Sequence, residues 1–177
     1  MMITASDLIS RAEQIVSENP SYRSGGSGTD GTCDCIGLII GAIRRAGGSW
    51  PGIHGSNYAA RKETDYLLPL SGTGDLKPGE IVFKAREPGK SGYSLPSRYK
   101  KGGKYYNGDL RDYYHIGLVE SAAPLRIRHM TSPRAKMDRT LGKWAFHGKL
   151  KRTAFGNSSP EDVKNKITEP PKEERKK

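Results

Sequence analysis

The stretch TCDCIGLIIGAIRRAG, residues 32–47, constrains this chain more than any other. Ile36, Ile39, Ile43 and Ala46 fall at helical spacing, and Leu38, Ile40 and Ala42 thicken the apolar face. The pattern predicts a buried helix, and a buried helix requires other elements packed around it. Gly47 and Gly48 supply its stop. Both cysteines of the chain, Cys33 and Cys35, stand at its entrance. A cysteine in the first turn of a helix lies beside unpaired backbone N–H groups and the positive end of the macrodipole, and both favour thiolate over thiol. Most free cysteines are nevertheless small core residues. Cys35 is one or the other, and this stretch alone leaves both open.

The rest of the chain alternates helical and strand-like blocks, which predicts an α+β fold in one domain over 1–156. Residues 5–18 form an amphipathic pattern with Leu8, Ile9, Ala12, Ile15 and Val16 on one side, Ser6 as N-cap and Asn19-Pro20 as the stop. A Gly/Ser-rich loop then delivers the chain to Cys35. A second loop leads into a short helix from about Ser56. Four strands are predicted downstream of it: LKPGEIVFK (76–84) with a Pro-Gly turn, HIGLVES (115–121) with LRIRHM (125–130) as a hairpin pair, and KWAFHGKLKR (143–152). Residues 86–112, with Tyr93, Tyr99, Tyr105 and Tyr106, are long for a plain connection and are expected to be a functional insertion at the rim of a cleft. Residues 157–177 are charged, Pro-containing and nearly devoid of apolar side chains, the composition of a linker or disordered tail.

The formal net charge is +11, which implies a polyanionic partner or surrounding such as a bacterial wall. Nucleic acid would need a recognition motif, and none is present. Two cysteines at i and i+2 are badly placed for a disulfide, and no His or Cys lies near enough in sequence to complete a metal site. The opening MMITASDLISRAEQ carries charges and no long apolar run, so neither a signal peptide nor a membrane span is expected.

His115 and His129 sit on alternate positions of their strands, so a hairpin in which Val119 faces Leu125 would set the two imidazoles directly opposite each other. Gly117 leaves room above that face. His115 would then serve as a base, with His129 fixing its tautomer through the other ring nitrogen. A cysteine at a helix N-terminus completes a Cys-His-His relay. His54 and His147 show no comparable partner and are expected to be surface or structural residues.

These residues also carry a resemblance. PSYRSGG followed by DCIGLI resembles the Tyr-Xaa-Xaa-Gly-Gly and Asp-Cys-Ser-Gly-Leu signature of the NlpC-type cell-wall cysteine peptidases. LKPGEIVF is similar to their Leu-Xaa-Pro-Gly-Asp-Leu-Val-Phe strand and YHIGLV to their His-Val-Gly-Ile strand, while His129 falls where their third polar residue stands. The likeness runs over about residues 6–155. It implies a papain-like fold, N-terminal helices on a central antiparallel sheet, that hydrolyses peptidoglycan stem peptides without metal or cofactor. It also implies Cys35 as nucleophile, His115 as base and His129 as orienter. Tyr22 would donate to the oxyanion beside the Cys35 N–H, and Asp34 would recognise a substrate amino group. Ile36 replaces the family's serine, which lines the substrate cleft. Cys33 lies outside the signature and reads as structural.

The segments around IHGSNYAARKE, PLRIRHMTSP and KWAFHGKL resemble phage lytic proteins of Gram-positive hosts, which often continue through a linker into a wall-binding module. Such an enzyme is made in the cytoplasm and reaches the wall after release or on a virion. Two other readings stay open: a CHAP-type amidase cutting between the sugar and the first L-alanine, and a catalytically silent wall-binding or virion module.

Overall fold

The computed structural model describes residues 2–155. The tail expected from 157 onward lies outside the described residues. Before the main sheet come β1 (Ile3–Thr4), α1 (Ala5–Ser17), β2 (Ser21–Tyr22), β3 (Thr32–Cys33), α2 (Cys35–Arg45) and α3 (Ser56–Lys62). The sheet itself is built from β4 (Thr64–Pro69), β5 (Ile81–Arg86), β6 (Asp112–Ala122), β7 (Leu125–Met130), β8 (Ala135–Asp138) and β9 (Phe146–Leu150), and β10 (Thr153–Ala154) returns to pair with β1.

The six sheet strands run in the order β4-β9-β5-β6-β7-β8, and every neighbouring pair is antiparallel. The helices come from the N-terminal part of the chain and pack on this sheet, so the fold is α+β and papain-like. Alternation along the strands divides the core in two. Ile81, Phe83, Ile116, Leu118 and Met130 face the helices, whereas Val82, Val119 and Ile127 join Leu76, Leu125 and Trp144 in a second cluster.

Every residue of α2 from Cys35 to Ile43 is buried, as its broad apolar face requires, because α1 covers one side and the sheet the other. The N-cap of α1 is Thr4, two residues before the expected Ser6: the Thr4 hydroxyl accepts from the Asp7 N–H at 3.0 Å. Strands β4 and β8 were not anticipated. They are the two edges of the sheet: β8 has only four residues, and in β4 the apolar residues Tyr66, Leu67 and Leu68 are consecutive, so neither shows the alternation that marks a half-buried strand.

Candidate active site

The site is built around the entry to α2. Asp34 caps this helix: its Oδ1 accepts from the Gly37 N–H and its Oδ2 from the Gly25 N–H, each at 2.7 Å. Only glycine fits at position 37, since a Cβ there would stand 1.7 Å from the Gly26 carbonyl oxygen. The Gly/Ser loop is therefore pressed onto the first turn of the helix, and it carries Tyr22 with it. Tyr22 pairs in register with Cys33 across the parallel β2–β3 bridge, and its N–H donates to the Pro133 carbonyl at 3.1 Å. Cys35 follows as the first residue of α2, 8% exposed. The Ile116 backbone of β6, one residue from His115, lies close enough to its sulfur to favour the thiolate.

His115 and His129 are brought together, but not by the expected register. Leu118 pairs with Arg128 and Val119 with Ile127, then a bulge at Glu120 shifts the ladder so that Ala122 pairs with Leu125. Val119 does not face Leu125, and His129 lies diagonally from His115 instead of opposite it. The two rings still meet, His115 Nε2 lying 2.8 Å from His129 Nδ1, because diagonal neighbours on one face remain within reach of long side chains.

Two residues beyond the predicted set complete this arrangement. Asp138, on edge strand β8, places Oδ1 3.0 Å from His129 Nε2, although the N–H direction is poorly aligned with it. Trp144 stacks on His115 with ring centroids 5.4 Å apart and meets His129 edge-on at 5.2 Å. Its indole N–H donates to Asp138 Oδ2 at 2.9 Å. Gly117 is what lets the indole in: a Cβ there would come within 2.9 Å of the Trp144 ring.

Burial dominates the electrostatics. It pushes the Cys35 thiol up to about 11, despite backbone hydrogen bonds from Ile116, Ile36 and Cys35 itself that favour the thiolate; the nearby Asp34 carboxylate adds to the rise. The helix N-terminus acts in the expected direction and is outweighed. Burial likewise lowers His115 to about 4, helped by His129 and Lys84 and opposed by Asp138. For His129 burial again lowers the value, against the pull of Asp138. Burial raises Asp138, but the close His129 imidazole, the Trp144 hydrogen bond and the charge of Lys84 win and hold its carboxyl below the usual range. Tyr22 is pushed up to about 12 by burial and by the charges it would share with Cys35, Asp34 and Cys33. The resting site therefore holds a neutral thiol, a neutral imidazole and a protonated phenol.

Other predicted residues fall differently. Ile36, expected to line the cleft, is 3% exposed and belongs to the main core, because α2 is covered all round. Cys33 is fully buried, as a structural residue should be. His54 has a partner after all: its Nε2 lies 2.9 Å from both oxygens of Asp34. His147 is buried against Glu80, which also accepts from the Tyr66 hydroxyl. The 86–112 insertion is ordered by Arg61 of α3, whose guanidinium lies over the rings of Tyr99 and Tyr113 and donates to the Asp109 and Arg111 carbonyls. Among the described residues, no three His, Cys, Asp or Glu side chains are grouped to hold a metal ion, and no helix is long and apolar enough to cross a membrane.

No family model and no curated protein matches this sequence. Solved structures do match. NlpC1 from Trichomonas vaginalis is similar at a TM-score of 0.50 and 17% identity, over 82% of this chain and 44% of that one. NlpC2 from the same organism has a TM-score of 0.49 and 14% identity, over 81% and 44%. This chain thus spans less than half the length of either protein. At such identity the likeness to NlpC1 defines a class of fold: the chain has an NlpC-like, papain-type α+β fold.

Proposed function

We propose that this chain is a cysteine peptidase that hydrolyses the stem peptides of bacterial peptidoglycan. The observation that carries the reading is the line of groups from His115 through His129 to Asp138, on a strand whose next residue, Ile116, is the one whose backbone favours the thiolate of Cys35 at the α2 N-terminus. The Asp138 carboxylate, 3.0 Å from His129 Nε2, favours the tautomer protonated on that nitrogen, which leaves His129 Nδ1 to accept from His115 Nε2–H. The remaining nitrogen, His115 Nδ1, then bears a lone pair. The Cys35 proton moves to it as the sulfur attacks the scissile carbonyl, so His115 acts as a general base towards a neutral thiol. The Cys35 N–H and the Tyr22 hydroxyl donate to the oxyanion. His115 next protonates the leaving amine, and water activated by the same imidazole hydrolyses the thioester.

The excess of positive charge would concentrate the protein on an anionic wall, and added salt should weaken that attraction. This supports a lytic role at the wall. In the test, purified Cys35→Ala should lose wall hydrolysis to background while keeping the circular dichroism and melting temperature of the wild type. Undiminished hydrolysis by this variant would remove the assignment. Mass spectrometry of the released fragments separates an endopeptidase from an amidase by the new amino terminus.

A further inference from the structure

The Asp34 carboxylate stands one residue before the candidate nucleophile, where the positive amino end of a bound peptide would be drawn to it. In this chain that carboxylate is already full. Oδ1 receives the Gly37 N–H, Oδ2 receives the Gly25 N–H, and His54 Nε2 is 2.9 Å from each. Three donors thus occupy the lone pairs of both oxygens. Asp34 is 6% exposed, whereas the His54 side chain is 30% exposed, so the imidazole stands between the carboxylate and solvent. His54 reaches this position from the segment between α2 and α3, independently of the Gly/Ser loop and of the α2 backbone.

The surface beside His54 carries no anionic group to welcome an ammonium either. A hollow of about 180 Å³ opens beside His54, between that segment and the insertion, and is lined by Ser56, Pro96, Arg98 and Tyr99 among others. Its one ionised lining group is the Arg98 guanidinium, and no carboxylate faces it. An ammonium entering here would meet the Arg98 cation and the His54 ring that already occupies Asp34, with no carboxylate in the lining to replace its hydration.

We propose that His54 sets the acyl-side specificity of this site: by closing Asp34 it excludes peptides with a free amino end and selects those whose amino end is already acylated, that is, stem peptides still joined to their glycan. This rests on the function proposed above and narrows it to a substrate class. Removing His54 reopens two lone-pair positions on Asp34 without uncapping α2, because the two glycine N–H groups remain.

The experiment compares one synthetic stem peptide in two forms, with a free and with an N-acetylated amino end. Each is assayed for kcat/KM and for its ability to protect Cys35 from iodoacetamide. Wild type should favour the acetylated form by about tenfold or more. His54→Ala should shift the ratio towards the free amine by at least a similar factor, and His54→Gln, which keeps a donor to Asp34, should stay near wild type. Melting temperatures within a few degrees of each other would establish that the variants fold. A wild-type preference for the free amine, or an unchanged ratio in folded His54→Ala, overturns the proposal and leaves the peptidase reading standing. Absence of both hydrolysis and protection with either peptide overturns the two together.

Discussion

Acidification should destabilise this fold in large part through the His115 imidazole. In the folded chain His115 sits between Trp144 and His129 and titrates near 4, whereas in the unfolded chain it takes up a proton near the ordinary 6.5. Between those values the unfolded state binds a proton that the folded state refuses. The contribution is therefore complete above about pH 6.5 and is lost as the pH falls towards 4. The gap is worth roughly 3 kcal/mol in all, of which about 2.5 kcal/mol is gone by about pH 4.5. That is a large share of the 5–15 kcal/mol typical of domains, about the range expected here. The measurement is urea denaturation of wild type and of His115→Gln, near neutrality and near pH 4.5. Carboxylates such as Asp138, and the His129 imidazole, lose their own contributions over the same range in both proteins, so the difference isolates His115. His115→Gln should lose about 2 kcal/mol less than wild type on acidification. An equal loss in both would mean that His115 is not held neutral by its surroundings.

On the alkaline side the sign reverses. Glu120 is raised to about 8 by burial and by its hydrogen bond with Glu13, so the stability it adds is present at low pH and is lost as the pH rises from about 4.5 through 8. Glu120→Gln, a mimic of the protonated acid, should flatten that decline in melting temperature; an undiminished slope would refute the assignment. Gly117→Ala would place a Cβ 2.9 Å from both Ile127 Cγ2 and Trp144 Cη2. The overpacking should cost about 1–3 kcal/mol and push the indole off His115, lowering kcat by tenfold or more with little change in KM. A folded variant with wild-type kcat would show that Trp144 does not position the base.

What the sequence reveals about the site follows the range of the interactions. The apolar run at 36–46 and the alternation of 125–130 depend on local periodicity, and both elements appear where that periodicity sets them. The His115–His129 meeting depends on register. Side-chain parity along the strands does place both rings on one face, but a bulge at Glu120 is a tertiary accommodation that periodicity does not encode. Asp138 and Trp144 are harder still. One lies on a four-residue edge strand and the other in the turn before β9, and neither carries an apolar period of its own. A Trp close in sequence to a predicted histidine strand was the one available signal. The pairing of His54 with Asp34 spans 20 residues through a loop, and only the folded chain brings it about.

The electrostatic state of the site has a consequence for how the proposed reaction would run. A helix N-terminus alone favours a thiolate, and a thiolate–imidazolium pair would need His115 to be basic and Cys35 acidic. Here burial moves each the other way, the thiol to about 11 and the imidazole to about 4. The ion pair is thus disfavoured at rest, and charge appears on His115 only as the sulfur attacks. At that moment the line through His129 to Asp138 gains most, because a developing imidazolium strengthens each hydrogen bond behind it, in a site largely shielded from water. Asp138 is held ionised by the Trp144 and His129 contacts, ready to meet that charge. The same burial that makes Cys35 a poor nucleophile in the resting protein therefore makes the His129–Asp138 pair worth more in the transition state than in the ground state, and only interactions of that kind accelerate a chemical step.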